Sequence, residues 1–357
     1  MAKRIQVSDD AGTNWYTLPG NTGEIRSEGQ ELNDTIFGQS FQSSEIGLIN
    51  GQITSNALYK GFAGYHADIR QMAGSTTTFT QEACSQESGL IYAIDDPTMD
   101  VWDHTQAIII RDDAADVTDE VEWIDFLRGR FKFRTGYVVV GVVDATGEFF
   151  PKTTVAKGRT FNLTQTMAPI DDTDLATAQA NTGRNTYEYG LKTVALEIGN
   201  VYDVTNGWRT VLEGRALVII DLAPVGNAGS NSYARGVFKV ARHAHQGDVG
   251  ALEEETVNFT LAVPQESDVA TVGFDNDLFL TPFVWTHPSG TNLATAVQKL
   301  LEAWEDDETL EARYLPDGVN GVEGDVVVSE ISLTGGLEAL NEFQVTLMIS
   351  GALATAP

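Results

Sequence analysis

The pair of residues in this chain best spaced for chemistry is His243 and His245, in "YARGVFKVARHAH" (Tyr233 to His245). On an extended strand they point to one face, as two metal ligands must. Transition-metal sites want three or four converging ligands, and His66, His104 and His287 have no such pairing. The histidines are therefore read as surface or turn-packing residues, and no metal is expected. Carboxylates are plentiful, in Asp112–Asp113, Asp171–Asp172, Glu253–Glu255 and Glu305–Glu308, and nothing singles out a catalytic pair among them. The P-loop, the dinucleotide G-x-G-x-x-G, the G-x-S-x-G elbow and H-E-x-x-H are all missing, and "GFDNDLFL" lacks the Gly and terminal Glu of a calcium loop. Cys84 is the only cysteine, which excludes an intrachain disulfide and is read as a buried, inert thiol. No catalytic residue and no cofactor is expected, and the chain is read as a non-enzyme.

The residues that remain must be understood through the elements that carry them. At 357 residues, 42% hydrophobic and 9% aromatic, the chain can bury the cores of about two domains. Thirty-four glycines with many Thr and Val residues point to a mainly β protein with a few helices. No apolar run spans a bilayer, and "MAKRIQVSDD" lacks the apolar stretch of a secretion signal. Fifty-one acidic against 22 basic residues give a net charge of −29, which repels nucleic acid instead of gripping it. A generic acidic surface, or adaptation to a saline host, explains the same balance.

Along the chain, residues 1–45 read as a polar arm with turns at "LPGNTG", Leu18 to Gly23. A strand-like region follows at Ile46 to Arg70. In "DVTDEVEWIDFLR", Val117, Val121, Ile124 and Leu127 fall at helical spacing, so a helix is expected over 116–128 with Asp116 or Thr118 as cap. "YVVVGVV" (Tyr137 to Val143) and "TFNLTQTM" (Thr160 to Met167) read as strands around the turn "DATG". Polar Pro169 to Gly190 reads as a linker. The clearest helix is "NLATAVQKLLEAW", with Leu293, Val297, Leu300, Leu301 and Trp304 on one stripe and Thr291 or Asn292 as cap. Its acidic tail "EDDE" sits where the helix dipole disfavours anions, which calls for solvation or an external partner.

Two late stretches, "GALEEETVNFTLAV" and "GGLEALNEFQVTLMI", alternate apolar and polar residues as half-buried strands do. Phe79 and Phe259 are 180 residues apart, Phe161 and Phe343 are 182 apart, and "VWDH" and "VWTH" are offset by 183. The expected helices and the "VVV" runs at Val138 and Val326 follow in the same order. The pattern predicts a tandem duplication of one β-rich unit with one main helix. The expected division is an arm at 1–45, a first domain at 46–170, a linker at 171–190 and a second domain at 191–357.

Three stretches carry a resemblance to a family: "NWYTLPGNTGEIRSEGQELNDTIFGQSFQSS" with "IGLINGQITSNALYKGFAGY"; "YARGVFKVARHAHQGDVGALEEETVNFTLAVP"; and "SLTGGLEALNEFQVTLMISGAL". Together the chain resembles the major tail tube proteins of long, non-contractile-tailed bacteriophages. The resemblance implies β-sandwich domains, each with one flanking helix, joined edge to edge into stacked rings around a lumen. The duplication fits trimeric rings with pseudo-sixfold symmetry; six-membered rings are the alternative. Implied partners are further copies of the chain, the tail terminator, tape measure and distal tail proteins, and genomic DNA in transit without tight binding. The implied location is the virion tail tube, made in the host cytoplasm and involving no membrane.

Within that frame, alternation turns Thr256, Asn258 and Thr260 away from Val257 and Phe259, and Glu342, Gln344 and Thr346 away from Phe343 and Val345. One of these polar faces is expected to line the channel. Trp15 and Tyr16, an aromatic pair in the polar arm, are expected at a contact between subunits. Ring stacking falls to residues 1–45 and to a loop at 144–158. A virion-surface or secreted β-sandwich that binds carbohydrate, an adhesin or a decoration protein, fits the same composition. An enzyme with an unrecognised carboxylate site is the third reading.

Overall fold

The computed structural model describes residues 3–33, 44–58, 65–181, 184–226, 231–247, 253–262, 275–276, 282–288, 291, 293–336 and 341–356. The chain is mainly β, with curled sheets of the sandwich and half-barrel kind. Three α-helices occur among the described residues: α1 (Leu175–Ala180), α2 (Trp208–Gly214) and α3 (Thr295–Asp306). Contacts divide it into two compact units that are interleaved along the sequence. Unit 1 comprises Met1–Gly64, Thr160–Leu196 and Ser289–Pro357; unit 2 comprises Tyr65–Arg159 and Glu197–Pro288. The sequential boundaries expected from the sequence do not coincide with these. Phe161 and Phe343 share unit 1, whereas Phe79, Phe259, Trp102 and Trp285 share unit 2. An offset near 180 residues therefore does not mark matching places in two domains.

Unit 1 is organised by the 16-residue strand Gly321–Gly336. Its C-terminal half pairs with Glu342–Ile349 on one edge and with Thr160–Thr166 on the other. Its N-terminal half pairs with Leu310–Leu315, which in turn pairs with Arg4–Ser8. A bulge between Val328 and Glu330 falls between the stretch paired with Leu310–Leu315 and the stretch paired with Thr160–Thr166, and such a bulge kinks the strand and increases its twist. Arg4–Ser8 is thus part of a core, with Ile5 and Val7 buried, and not of a loose polar arm. "LPGNTG" does not stay a turn either: Gly20–Asn33 is a strand, paired with Ser44–Leu58.

The apolar stripe of α3 packs against Arg4–Ser8 and Gly321–Gly336, burying Val297, Leu300, Leu301 and Trp304. The helix begins at Thr295 after Ala294, without a side-chain cap. Thr291 instead accepts the Leu293 amide, and Asn292 lies outside the described residues. The acidic tail finds its counter-charge inside the unit. Lys192 Nζ donates to the Glu305 carbonyl (2.8 Å) and pairs with Asp307 (2.6 Å) while lying over the Trp304 ring. The expected linker is also folded into unit 1. Its ribbon Ile170–Asp171 with Tyr187–Glu188 is tied down by the Tyr187 amide on Ser350 Oγ and the Val328 amide on Tyr189 Oη.

Unit 2 has one sheet with Thr77–Ser88, Val143–Phe149 and Val121–Asp125 and another with Leu217–Ala223 and Tyr233–Gln246. Phe79, Trp102, Phe131 and Phe133 from the first meet Ile219, Val237 and Val284 from the second in one core. The short helix α2 packs on Tyr233–Gln246. The helix expected over 116–128 is replaced by a 3-10 turn, Thr118–Glu120, and the strand Val121–Asp125. Asp116 Oδ1 accepts from the Thr118 amide and hydroxyl, a local turn that ends at once. Gly129 then reverses the chain with φ 58°, where an added Cβ would come within 2.9 Å of the Asp100 backbone. The returning strand Arg130–Phe133 pairs with Val121–Asp125. "DATG" is not a turn but lies inside Val143–Phe149, so the expected loop at 144–158 contains that strand and Thr153–Thr154. "YVVVGV" forms no ladder strand at all.

Candidate functional site

The residues suited to chemistry are not brought together. His243 Nε2 hydrogen-bonds Glu255 Oε1 at 2.6 Å, and Asn200 Nδ2 donates to the other oxygen at 2.7 Å. His245 pairs with Glu253 at 3.1 Å and stacks on Tyr202. Among the described residues no group of three or more His, Cys, Asp or Glu side chains is arranged to hold a metal. Burial, with the nearby carboxylates of Asp95, Asp144 and Glu82, pushes the Cys84 thiol up to about 12, so it is a poor nucleophile.

What unit 1 does assemble is a continuous polar sheet face. Across strands 20–33, 44–58, 342–349, 321–336 and 160–167, cross-strand register aligns Thr22, Asn56, Gln344, Ser332 and Thr164 in one row. The next row is Glu24, Thr54, Thr346, Glu330 and Thr166. A third, shorter row is Glu342, Thr334 and Asn162. Each of these side chains is exposed or half-buried. Their neighbours of opposite parity, Ile53, Phe343, Val345, Leu347, Ile331, Leu333, Phe161 and Leu163, are buried. Period-two geometry alone produces this division. Five strands about 4.8 Å apart make the face roughly 20 Å wide.

The chemistry of the face is uniform. The first row carries no charge, the other two carry carboxylates only, and no Lys or Arg stands in any of the three. Arg26, one row further along, is ion-paired with Glu28. Short-range hydrogen bonds knit the hydroxyls together: Thr166 with Thr193 at 2.6 Å, and Ser332 to Asn162 at 3.3 Å. Such a surface offers a passing polyanion neither salt bridges nor an apolar patch.

Glu342, Gln344 and Thr346 thus stand on this face. Thr256, Asn258 and Thr260 stand on a different one, in unit 2, opposite Ala244, Arg242 and Lys239. They point away from buried Val257 and Phe259 as alternation requires, but their neighbours include two bases and Asn258 donates to Glu197. The two predicted triplets are therefore not equivalent surfaces. Trp15 and Tyr16 are half-buried in unit 1, with the Arg313 guanidinium 4.0 Å from the Trp15 ring. The Arg313 contact gives Trp15 a partner within its own chain. The other ten side chains of the face, Thr22, Thr54 and Asn56 among them, were not singled out from sequence, although "TFNLTQT" and "SEISLT" carry the same alternation.

One further feature of unit 1 concerns assembly. Gly20–Asn33 is 14 residues long and, among the described residues, pairs along one edge only, with Ser44–Leu58. A long open edge is a template for another strand.

No protein-family model matches the chain, and no curated protein matches it. Solved structures similar to part of it include the tail of an empty gene transfer agent particle, obtained by helical refinement with C6 symmetry. That match has 13% identity and a TM-score of 0.28, and covers 31% of this chain and 82% of the other. The virion of a native gene transfer agent particle matches at 14% identity and a TM-score of 0.26, covering 31% and 84%.

Proposed function

We propose that this chain is a structural virion protein that polymerises into stacked rings, forming a tail tube through which genomic DNA passes during ejection. The observation that carries the reading is the polar face of unit 1: thirteen aligned side chains, three of them carboxylates and none basic. A conduit for DNA must not neutralise phosphates, because each Lys or Arg contact adds affinity and slows transit. A hydroxyl- and amide-lined wall with scattered carboxylates meets that requirement. The net charge of −29 acts in the same sense over the whole chain. The open strand edge at Gly20–Asn33 gives a physical reason for self-association, since a neighbouring strand would satisfy its amides and carbonyls.

In this reading the chain performs no catalysis and holds no cofactor. Its partners are further copies of itself in trimeric pseudo-sixfold rings, or hexameric rings, together with terminator, tape measure and distal tail proteins. Negative-stain microscopy of the purified chain tests it: rings or tubes with a central hole are expected. Dispersed monomers that bind glycans would replace it with the carbohydrate-binding reading.

A further inference from the structure

An offset near 180 residues does not relate the two units, but an offset of 88 does. In unit 2 the strand Tyr233–Gln246 pairs with Glu254–Leu261, and in unit 1 Gly321–Gly336 pairs with Glu342–Ile349. Adding 88 to both members of every cross-strand pair in the first ladder yields the second. Phe238 opposite Leu261 becomes Val326 opposite Ile349, and Gln246 opposite Glu254 becomes Thr334 opposite Glu342. The break in register recurs at the same place, between Val240 and Arg242 and between Val328 and Glu330. A bulge is a local feature fixed by the surrounding ladder, so its recurrence marks a repeated unit.

The flanking elements repeat as well. Val218 opposite Phe238 and Leu310 opposite Val326 start two further ladders that keep the same register, their short strands 92 residues apart. Ahead of them α2 ends at Arg215 with φ 54° and α3 at Asp307 with φ 60°, also 92 apart. Each helix packs on the long strand of its unit. On the opposite edge, residues 233–235 pair with 284–286 as residues 321–323 pair with 354–356.

The repeats differ at one edge. In unit 1 the side of Gly321–Gly336 that carries Leu310–Leu315 is filled further along by residues 160–166, antiparallel to 330–336. The corresponding stretch of unit 2, residues 242–246, carries no strand on that side among the described residues. Gly20–Asn33 has the complementary defect, 14 residues with one open edge. No other strand that ends a ladder among the described residues exceeds four residues.

We infer that the open edge of Gly20–Asn33 in one copy seats antiparallel on residues 242–246 of the next copy, as residues 160–166 seat on 330–336 within unit 1. The join rests on the self-assembly reading and deepens it by naming the two edges that meet. Neither edge is filled within a single copy, so the occupant is a second copy, and an unfilled edge is a template for such pairing. Parity keeps exposed side chains with exposed ones: Glu24, Arg26 and Glu28 share a face with Arg242 and Gln246. One net negative charge thus meets one positive charge between copies that each carry −29. The two edges differ, so the join is head-to-tail and continues until a ring closes.

The test uses the full chain with new cysteines, the native Cys84 being buried. Arg242→Cys protein is assembled and oxidised in turn with Glu24→Cys, Arg26→Cys and Glu28→Cys proteins, and with Ile25→Cys and Ser27→Cys proteins of opposite parity. A one-to-one cross-linked pair is expected with at least one of the first three, about tenfold above either of the last two, and none from any variant alone. Equal yields at both parities, or self-cross-linking of Arg242→Cys, overturn the join. Hydrogen exchange on the unmodified protein is the second measure. Amides within 20–33 and 242–246 are expected to slow about tenfold or more on assembly, while those of 160–166 are protected before and after. Assembly that leaves both edges unprotected overturns the join. Cross-linked filaments without a central hole keep the join and reject the tube. Tubes that show neither the cross-link nor the protection keep the tube and reject the join.

Discussion

Arg235 and Asp221 meet side-on in unit 2, with Nε to Oδ1 at 2.6 Å and Nη2 to Oδ2 at 2.9 Å, and both side chains are buried. Arg70, also buried, reaches Asp221 at 2.7 Å and Asp100 at 3.0 Å, and Arg235 Nη2 reaches Asp100 at 2.7 Å. Two guanidiniums and two carboxylates thus cancel in charge. Burial alone would raise the Asp221 carboxyl, but Arg235 and Arg70 outweigh it and hold it well below the usual carboxylate range. Arg235 Nη1 also caps the Leu127 carbonyl, tying the turn at 126–129 to the second sheet.

Removing one member leaves its partners charged in a dry site. Arg235→Met is expected to destabilise unit 2 by about 3–5 kcal/mol. A urea melt following the tryptophans measures it. A loss under 1 kcal/mol would show the cluster to be solvated.

Acid should loosen the segment 137–142 before the core. Burial opposes ionisation of Asp112, yet the Val140 and Gly141 amides and the Tyr137 hydroxyl, which all donate to it, hold its carboxyl below the ordinary aspartate range. A depressed carboxyl contributes stability that is present above about pH 4 and lost as pH falls through the lowered native value. The protection of the Val140 and Gly141 amides against exchange, taken relative to the intrinsic rate at each pH, should therefore fall on acidification below about pH 4. Asp112→Asn, which loses the charged acceptor, should show that lower protection already at neutral pH.

Lys192 closes the end of α3 that its sequence leaves acidic. Lys192→Met keeps the apolar stem but removes the cation from the Glu305 carbonyl and Asp307. A loss of about 1–2 kcal/mol in unit 1 is expected, and it should shrink at high salt. A salt-independent loss would assign the effect to packing on Trp304.

Basic side chains on the polar face should interfere with DNA without disturbing the fold. Thr164→Lys, Gln344→Lys and Thr346→Lys together should change stability by no more than about 1.5 kcal/mol, since surface substitutions cost little. Assembly should persist, while ejection slows and acquires a steep salt dependence. Ejection at the unmodified rate would remove the face from the DNA path.

Much of this was legible in the residues, and the failures have specific causes. The strands Glu254–Leu261 and Glu342–Ile349 and the helix α3 follow from strong periodicity. The segment 116–128 failed because four apolar residues at helical spacing were outweighed by turn chemistry at Asp116 and Gly129 and by pairing with Phe131 and Phe133. "YVVVGV" failed for a different reason. A side-chain carboxylate distant in sequence, Asp112, captures its amides, and no local pattern announces that. The interleaved units were hidden for the same kind of reason, because register between strands far apart in sequence decides them. The polar face was half legible: parity gave Glu342, Gln344 and Thr346, but its width required knowing which strands lie side by side.

The most direct measurement is a high-resolution electron-microscopy map of the assembled protein. Thr22, Asn56, Gln344, Ser332 and Thr164 are predicted to face a central channel on every copy. Assemblies in which that row is buried against a neighbour or turned outward, or whose channel is lined by Lys and Arg, would contradict the account.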